Sequence, residues 1–304
     1  MKDAARKNYI TGSLVTFAGA ILFSTKAIFV KLAFAATHTD AITLLALRMV
    51  FALPFYLAIA FFYSSRDINV RFTNRQWVIV IAMGLTGYYL SSLFDFMGLQ
   101  FISAGLERLI LFLYPTFAVL LNAAVFKHKI SSMQILALVL TYIGIGIAFY
   151  GELKLDASNP DFLLGSFLIF LCALTFSVYL VGSGKLIPLV GATKFTAYAM
   201  TAASVGVISH YFLSGNKLQH FEPSLLQYGV LLAIIATVIP TFLISNGLKK
   251  IGSNNVAIIS SIGPVSTILQ AHFILGEPLT ATQIGGTVLV IAGVLLTGWR
   301  NRDI

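Results

Sequence analysis

Six ionisable residues fall inside long apolar stretches of this chain: Lys26, Lys31, Arg48, Asp95, Glu107 and Arg108. A charge held at membrane depth costs roughly 3 kcal/mol or more, so each marks a candidate binding or proton-handling group. Lys26 suits an anionic substrate group, or balances Asp95 or Glu107. Either carboxyl could carry a coupling proton, because a low dielectric favours its neutral form. Lys31 lies nearer a helix end, where its ammonium can snorkel to the interface. Arg48 comes early in its stretch and fits structural pairing. Arg108 follows Glu107 directly, so it points to another face and suits an anchor at the outer interface.

Helical spacing organises the polar residues around these charges. Glu107, Leu111, Tyr114, Ala118 and Asn122 share one face, and Tyr88, Ser92 and Asp95 share another. A lipid-facing stripe would be apolar, so both faces are expected to look inward. They could line a substrate cavity or hydrogen-bond neighbouring helices. Asn246, Asn254, Asn255, Ser260, Ser261 and Gln270 add further polar groups late in the chain. Pro115, Pro240 and Pro264 each remove a backbone donor and break a helix, which frees carbonyls for a cavity and supplies hinges.

Catalytic signals fail on inspection. Gly182-Ser183-Gly184-Lys185 echoes a phosphate-binding loop, but Tyr179 replaces its first glycine and Leu186 its Ser/Thr. The five histidines have no metal-ligand spacing, and Cys172, the single cysteine, sits in an apolar run as a small hydrophobe. With no nucleophile elbow and no Cys/His pair, neither an enzyme nor a cofactor is expected. The net charge of +9 does not indicate nucleic acid, since the basic residues form short clusters between apolar runs and no continuous stripe.

The elements that carry these residues follow from composition. Apolar residues are 58% of the 304 and charged residues only 10%, against about 25% charged in soluble domains. The outer surface therefore faces a bilayer. About 20 apolar residues span it as a helix, and such runs recur ten times, near 12–34, 41–63, 76–97, 103–125, 132–150, 162–183, 192–213, 225–246, 254–275 and 280–299. The fold expected is an all-α membrane protein of ten transmembrane helices. Lys2, Arg6 and Lys7 before an apolar run, with Ala33-Phe34-Ala35 after it, mimic a cleaved signal. That run is too long and is interrupted by Lys26 and Lys31, so it is expected to be retained as the first span. Fourteen Lys and Arg lie on one side of the spans, among them Arg66, Arg71, Arg75, Lys127, Lys129, Lys185, Lys194, Lys249, Lys250, Arg300 and Arg302; Lys154 and Lys217 lie on the other. This bias places both termini in the cytoplasm.

The chain also repeats. Residues 98–150 align without a gap to 247–299, matching Gly98 with Gly247, Pro115 with Pro264, Gln134 with Gln283 and Gly144 with Gly293; eleven of 53 positions are identical. Gly12 to Lys26 aligns with Gly165 to Tyr179 at six of 15 positions. Residues 1–151 and 152–304 thus read as two five-helix repeats. Five is odd, so the second copy enters from the opposite side, giving the inverted-topology arrangement that underlies alternating access in many secondary transporters. Lys26 and Tyr179 occupy one repeat position, as expected of groups on opposite walls of a cavity.

Ser103-Ala104-Gly105-Leu106-Glu107-Arg108, continuing to Leu113-Tyr114-Pro115-Thr116, resembles the fourth helix of the drug/metabolite transporter superfamily, EamA type. Ile262-Gly263-Pro264-Val265 with Leu275-Gly276-Glu277-Pro278-Leu279 is similar to the signature near the end of that family's second repeat, and Leu22-Phe23-Ser24-Thr25-Lys26-Ala27-Ile28 to its first-helix pattern. Lys127-His128-Lys129 departs from the pattern where the second copy has Gly276-Glu277-Pro278. The resemblance implies a bacterial inner-membrane exporter or exchanger of small metabolites, amino acids prominent among them, with a cavity lined by spans 1, 3, 4, 6, 8 and 9. The reading is a secondary transporter with a small-molecule substrate, the lipid bilayer as its surroundings, and a monomer favoured over a dimer. Alternatives are a passive channel or facilitator, or a membrane-embedded lipid-modifying enzyme. The cavity residues expected are Lys26, Tyr88, Ser92, Asp95, Glu107, Tyr114, Asn122, Tyr179, Asn246 and Ser260.

Overall fold

The structure, a computed structural model, describes residues 2–64, 71–127, 132–155, 158–183, 186–217, 221–260 and 262–299. Arg66, His128, Lys129, Gly184, Lys185, Ser261, Arg300 and Arg302 lie outside the described residues, as do the side chains of Lys2, Lys7, Gln134, Lys249, Asn254 and Asn255. Among the described residues every regular element is a helix. Six helices are long and apolar enough to cross a membrane, which makes this a multi-pass membrane protein.

Helix α1 runs Lys2–Thr37 and α2 Ala41–Ser64. Asp40 starts α2, its carboxylate accepting the Thr43 backbone N–H at 2.8 Å and the Thr43 hydroxyl at 2.7 Å, as an N-cap residue does. Helix α3 spans Asn74–Gly98. Thr73 and Gln76 begin it with a reciprocal capping box. Helix α4 has two segments, Ala104–Leu111 and Tyr114–Phe126. Helix α5 is Ser132–Leu155, α6 Phe162–Ser183 and α7 Ala192–Leu213. Helix α8 is Pro223–Gly247. Helix α9 comprises the chain beyond it to Ser260, then Gly263–Gln270 and a π-helical turn Ala271–Leu275; α10 is Ala281–Trp299.

The backbone stays helical through Ile239–Ser260, yet it doubles back there. A Cβ placed on Gly247 would lie 3.5 Å from Cγ2 of Val256, whereas nine residues of straight helix extend about 13 Å. The expected turn between residues 246 and 254 is therefore a tight helical reversal without an extended connection. Its first limb runs antiparallel to α1: Gly19 packs on Leu243 and Ile244, Gly247 on Thr16, and Gly12 on Lys250 and Ile251.

Irregularities in the helices recur at a spacing of 149 residues. A π-helical turn at Leu85–Leu90 in α3 has a counterpart at Ile234–Val238 in α8. The break in α4 at Phe112 and Leu113 has a counterpart before Gly263 in α9, each followed by a proline, Pro115 or Pro264. Lys127 ends α4 in the left-handed conformation (φ 55°), and Gly276 follows α9 in the same one (φ 71°). In α8 the cause of the π turn is visible in the sequence. Pro240 has no N–H, and its ring crowds the carbonyl four residues back. The hydroxyl of Thr237 reaches back five residues to the Leu232 carbonyl at 2.7 Å. In α3 the residue at that position is Ser91, and the turn forms without proline.

Packing interlocks the two halves of the chain. Helix α1 lies against α8 and α9, while α6 lies against α3 and α4. Helices α5 and α10 pair closely, Gly144 against the Gly286 carbonyl and Gly151 against Thr282. Small residues let backbones approach in this way in membranes, where lipid is as apolar as leucine and close van der Waals contact must drive association.

Candidate functional site

The charged residues meet where α1, α3, α4 and α6 converge. Lys26 Nζ lies 2.7 Å from Asp95 Oδ2 and 3.5 Å from Glu107 Oε1. Asp95 and Glu107 are fully buried, whereas the Lys26 side chain keeps 15% of its surface. Beyond Lys26 and each other, the carboxyl oxygens find no donor among the described residues. Removing three charges from water is costly, and such a group persists only through mutual compensation. The helices aim the side chains directly. Asp95 stands one turn before α3 ends, and Glu107 sits in the first turn of α4, which Ser103 caps by accepting the Leu106 N–H at 3.0 Å. Cys172 of α6 closes the fourth side, its sulfur 3.3 Å from the Ser91 hydroxyl.

Arg48 of α2 borders this group. Its Nε donates to Thr237 Oγ1 at 2.8 Å, its Nη1 approaches Ser92 Oγ at 3.4 Å, and its guanidinium lies 5.3 Å from the centre of the Phe96 ring. The acceptor on α8 is the residue of the π turn itself, so a helix of the first half holds an irregularity of the second. Ser92 thus contacts Arg48.

Tyr88 and Tyr179 form a second, aromatic level. Their hydroxyls are 3.3 Å apart and their rings pack edge-on at 4.9 Å. Gly87 allows this: a Cβ there would collide with Tyr179. Tyr179 continues through Phe176 to Tyr114, with ring centroids 5.8 and 5.3 Å apart. Lys26 and Tyr179 do not face each other as their shared repeat position suggested. Cys172 lies at the level of Lys26, and Tyr179 is seven residues, about 10 Å, farther along α6. The reason is that Lys26 is drawn to the two carboxyls on α3 and α4.

Other expected residues are more distant. Asn122 stands eight residues beyond Tyr114 along α4, about 12 Å. Ser260 lies just before the break in α9. Asn246 lines a partly open cavity of about 600 Å³ with Asn8, Tyr63, Thr193, Phe242, Ser245 and Lys250. This cavity lies at the α8–α9 reversal, on the level of Gly12 and Thr16, and Lys26 is ten residues, about 15 Å, farther along α1. Pro115 and Pro264 begin the second segments of α4 and α9.

Three contacts escaped sequence reasoning. Lys31, expected to snorkel, donates to the Ile102 carbonyl at 2.8 Å. Arg108, expected at an outer interface, lies against Gly263 and 5.6 Å from the Phe112 ring. Glu277 accepts the Ala104 and Gly105 N–H groups at 2.8 and 3.2 Å. A signal for the last existed: Gly276-Glu277-Pro278 stood out, but its partner, the start of α4, lies 173 residues away.

A solved crystal structure superposes on this fold with a TM-score of 0.67 at 18% identity, covering 96% of this chain and 99% of that one. In sequence, the chain is 30% identical to the uncharacterized transporter YcbK of Bacillus subtilis (strain 168) over 93% of its own length and 92% of the relative's. It is 25% identical to an uncharacterized transporter of Archaeoglobus fulgidus over 89% and 91%. The profile of the EamA-like transporter family matches twice, over residues 10–150 and 163–299. The chain belongs to the EamA-like transporter family.

Proposed function

We propose that the protein is a secondary active transporter, an exporter or exchanger of small polar or amphipathic metabolites such as amino acids. All ten helices, α1–α10, cross a bacterial inner membrane with both termini in the cytoplasm, as two five-helix halves of inverted topology. The observation that carries this reading is the buried group of Lys26, Asp95 and Glu107, in line along α1 with a partly open cavity nearer that helix's N-terminus, where Asn8 lines it. A carrier needs polar groups that are reachable from one side at a time. The spacing of the π turns and helix breaks at 149 residues supports two halves able to exchange shapes. No cofactor and no catalytic role are part of the reading, and a monomer suffices.

Purified protein in liposomes tests it. Preloading with unlabelled amino acids should drive saturable uptake of the labelled compound above its equilibrium level. Uptake that is linear in concentration and shows no counterflow would replace the carrier with a channel. Proton coupling through Glu107 or Asp95 is a separate arm: an imposed pH gradient accelerates transport if it operates and leaves the rate unchanged if it does not.

A further inference from the structure

Most cations set among these helices have acceptors. Lys26 has Asp95 and Glu107, Arg48 has Thr237 and Ser92, and Lys31 has the Ile102 carbonyl. Arg108 is different. Among the described residues its guanidinium makes no hydrogen bond and no ion pair, and its Nε is buried without an acceptor. A guanidinium carries five N–H donors in a planar fork that fits a carboxylate with two parallel bonds. The side chain as a whole is half-buried, and burying its Nε without an acceptor carries a cost.

Its surroundings point the same way. Arg108 sits one turn before the break in α4 and reaches the corresponding break in α9. Nη2 lies 2.5 Å from where a Cβ on Gly263 would stand, so a side chain at 263 would move the guanidinium from its present place. Gly263 and Tyr114 open the second segments of α9 and α4, and neither start carries a side-chain cap. Both present the positive end of a helix dipole, and Tyr114 is within electrostatic reach of Arg108.

We propose that Arg108 receives the carboxylate of the transported molecule, at the paired breaks of α4 and α9. The site selects small carboxylates over their amides and over cations. This rests on the transporter reading above, and it assigns that reading a substrate class and a residue.

The full chain, purified in detergent, is titrated by thermal shift with L-leucine, L-phenylalanine, benzoate and succinate, and with the corresponding amides. At least one acid should stabilise the protein, and its amide should not. Arg108→Gln should weaken binding of that acid at least tenfold, with Arg108→Lys falling between. Gly263→Ala, which pushes the guanidinium aside, should also weaken it, and this variant decides the matter should the glutamine variant fail to fold. Amides that bind as well as acids, a set in which no acid binds, or acid affinity unchanged in the variants would each overturn the assignment. Counterflow separates the two readings. Arg108-dependent acid binding without counterflow sinks the transporter and leaves the site, while counterflow of a neutral or cationic compound that is indifferent to Arg108→Gln sinks the site and leaves the transporter.

Discussion

Glu277 reaches across the molecule to accept the backbone N–H of Ala104 at 2.8 Å, with its second oxygen 3.2 Å from the Gly105 N–H. A carboxylate from the α9–α10 connection thus caps the start of α4, where the free N–H groups and the helix dipole both favour negative charge. Ser103 satisfies the Leu106 N–H beside it at 3.0 Å, and Lys31 holds the Ile102 carbonyl just before it. The contact ties the late part of the chain to the early part at one end of the bundle.

Replacing Glu277 with alanine should therefore cost about 1 kcal/mol, the usual worth of a helix cap, read as a lower unfolding temperature in detergent; glutamine, which still accepts one N–H, should lose less. If the contact also keeps this end of the bundle closed, the native thiol reports it. Cys172 is the only cysteine and is buried beside the charged group. A membrane-impermeant maleimide should label it faster in Glu277→Ala than in the parent. Equal rates with a lowered unfolding temperature would reduce Glu277 to a cap alone.

Lys26→Met should be among the most damaging substitutions in the chain. It leaves two carboxyls buried without their cation, a change that typically costs about 3–5 kcal/mol. Combining it with Glu107→Gln should recover part of that loss, because one uncompensated carboxylate goes with it. A double variant no more stable than Lys26→Met would show that Lys26 serves Asp95 alone.

Arg48 and Thr237 offer a coupling measurement. Arg48→Lys loses the directional Nε donor, and Thr237→Val loses its acceptor, each at about 1–3 kcal/mol if the remaining partner stays buried. Because both act through one bond, the double variant should be less destabilised than the two losses added. Additive losses would indicate that the arginine holds α2 in place through Ser92 and Phe96, independently of the π turn.

Gly87→Ala should destabilise by about 1–3 kcal/mol as its methyl group meets Tyr179. Gly146→Ala, which meets nothing within 4 Å, should be neutral or slightly stabilising, since alanine is the better helix former. Unfolding temperatures that fall equally in both would mean that the Tyr88–Tyr179 level is not tightly packed.

Much of this arrangement can be read from residue types. Long apolar runs located most of the helices to within a few residues because lipid leaves a spanning segment little choice, although α1 begins at Lys2, ten residues before its apolar run, and α5 runs five residues past its own. Charge inside those runs singled out Lys26, Asp95 and Glu107, and their juxtaposition follows from the cost of leaving any of them alone. The aromatic pair of Tyr88 and Tyr179 was named but not joined, since nothing local shows that Gly87 opens the space for it. The π turns were illegible: one is marked by Pro240, but the other forms at Ser91 with no breaker at all. Long-range partners such as Glu277 and Ala104 are set by tertiary packing, which a single sequence encodes only as a whole.

The left-handed residues at Lys127 and Gly276 bear on how this chain tolerates change. One position holds a glycine that takes the conformation freely, and the other a lysine that does not. The same bend is made in two chemistries at positions 149 residues apart. Two such different residues take it, so the origin of the bend lies in the helices on either side. Engineering one half toward the other is then best done by transplanting helix pairs, with their breaks intact, and not by copying side chains position by position.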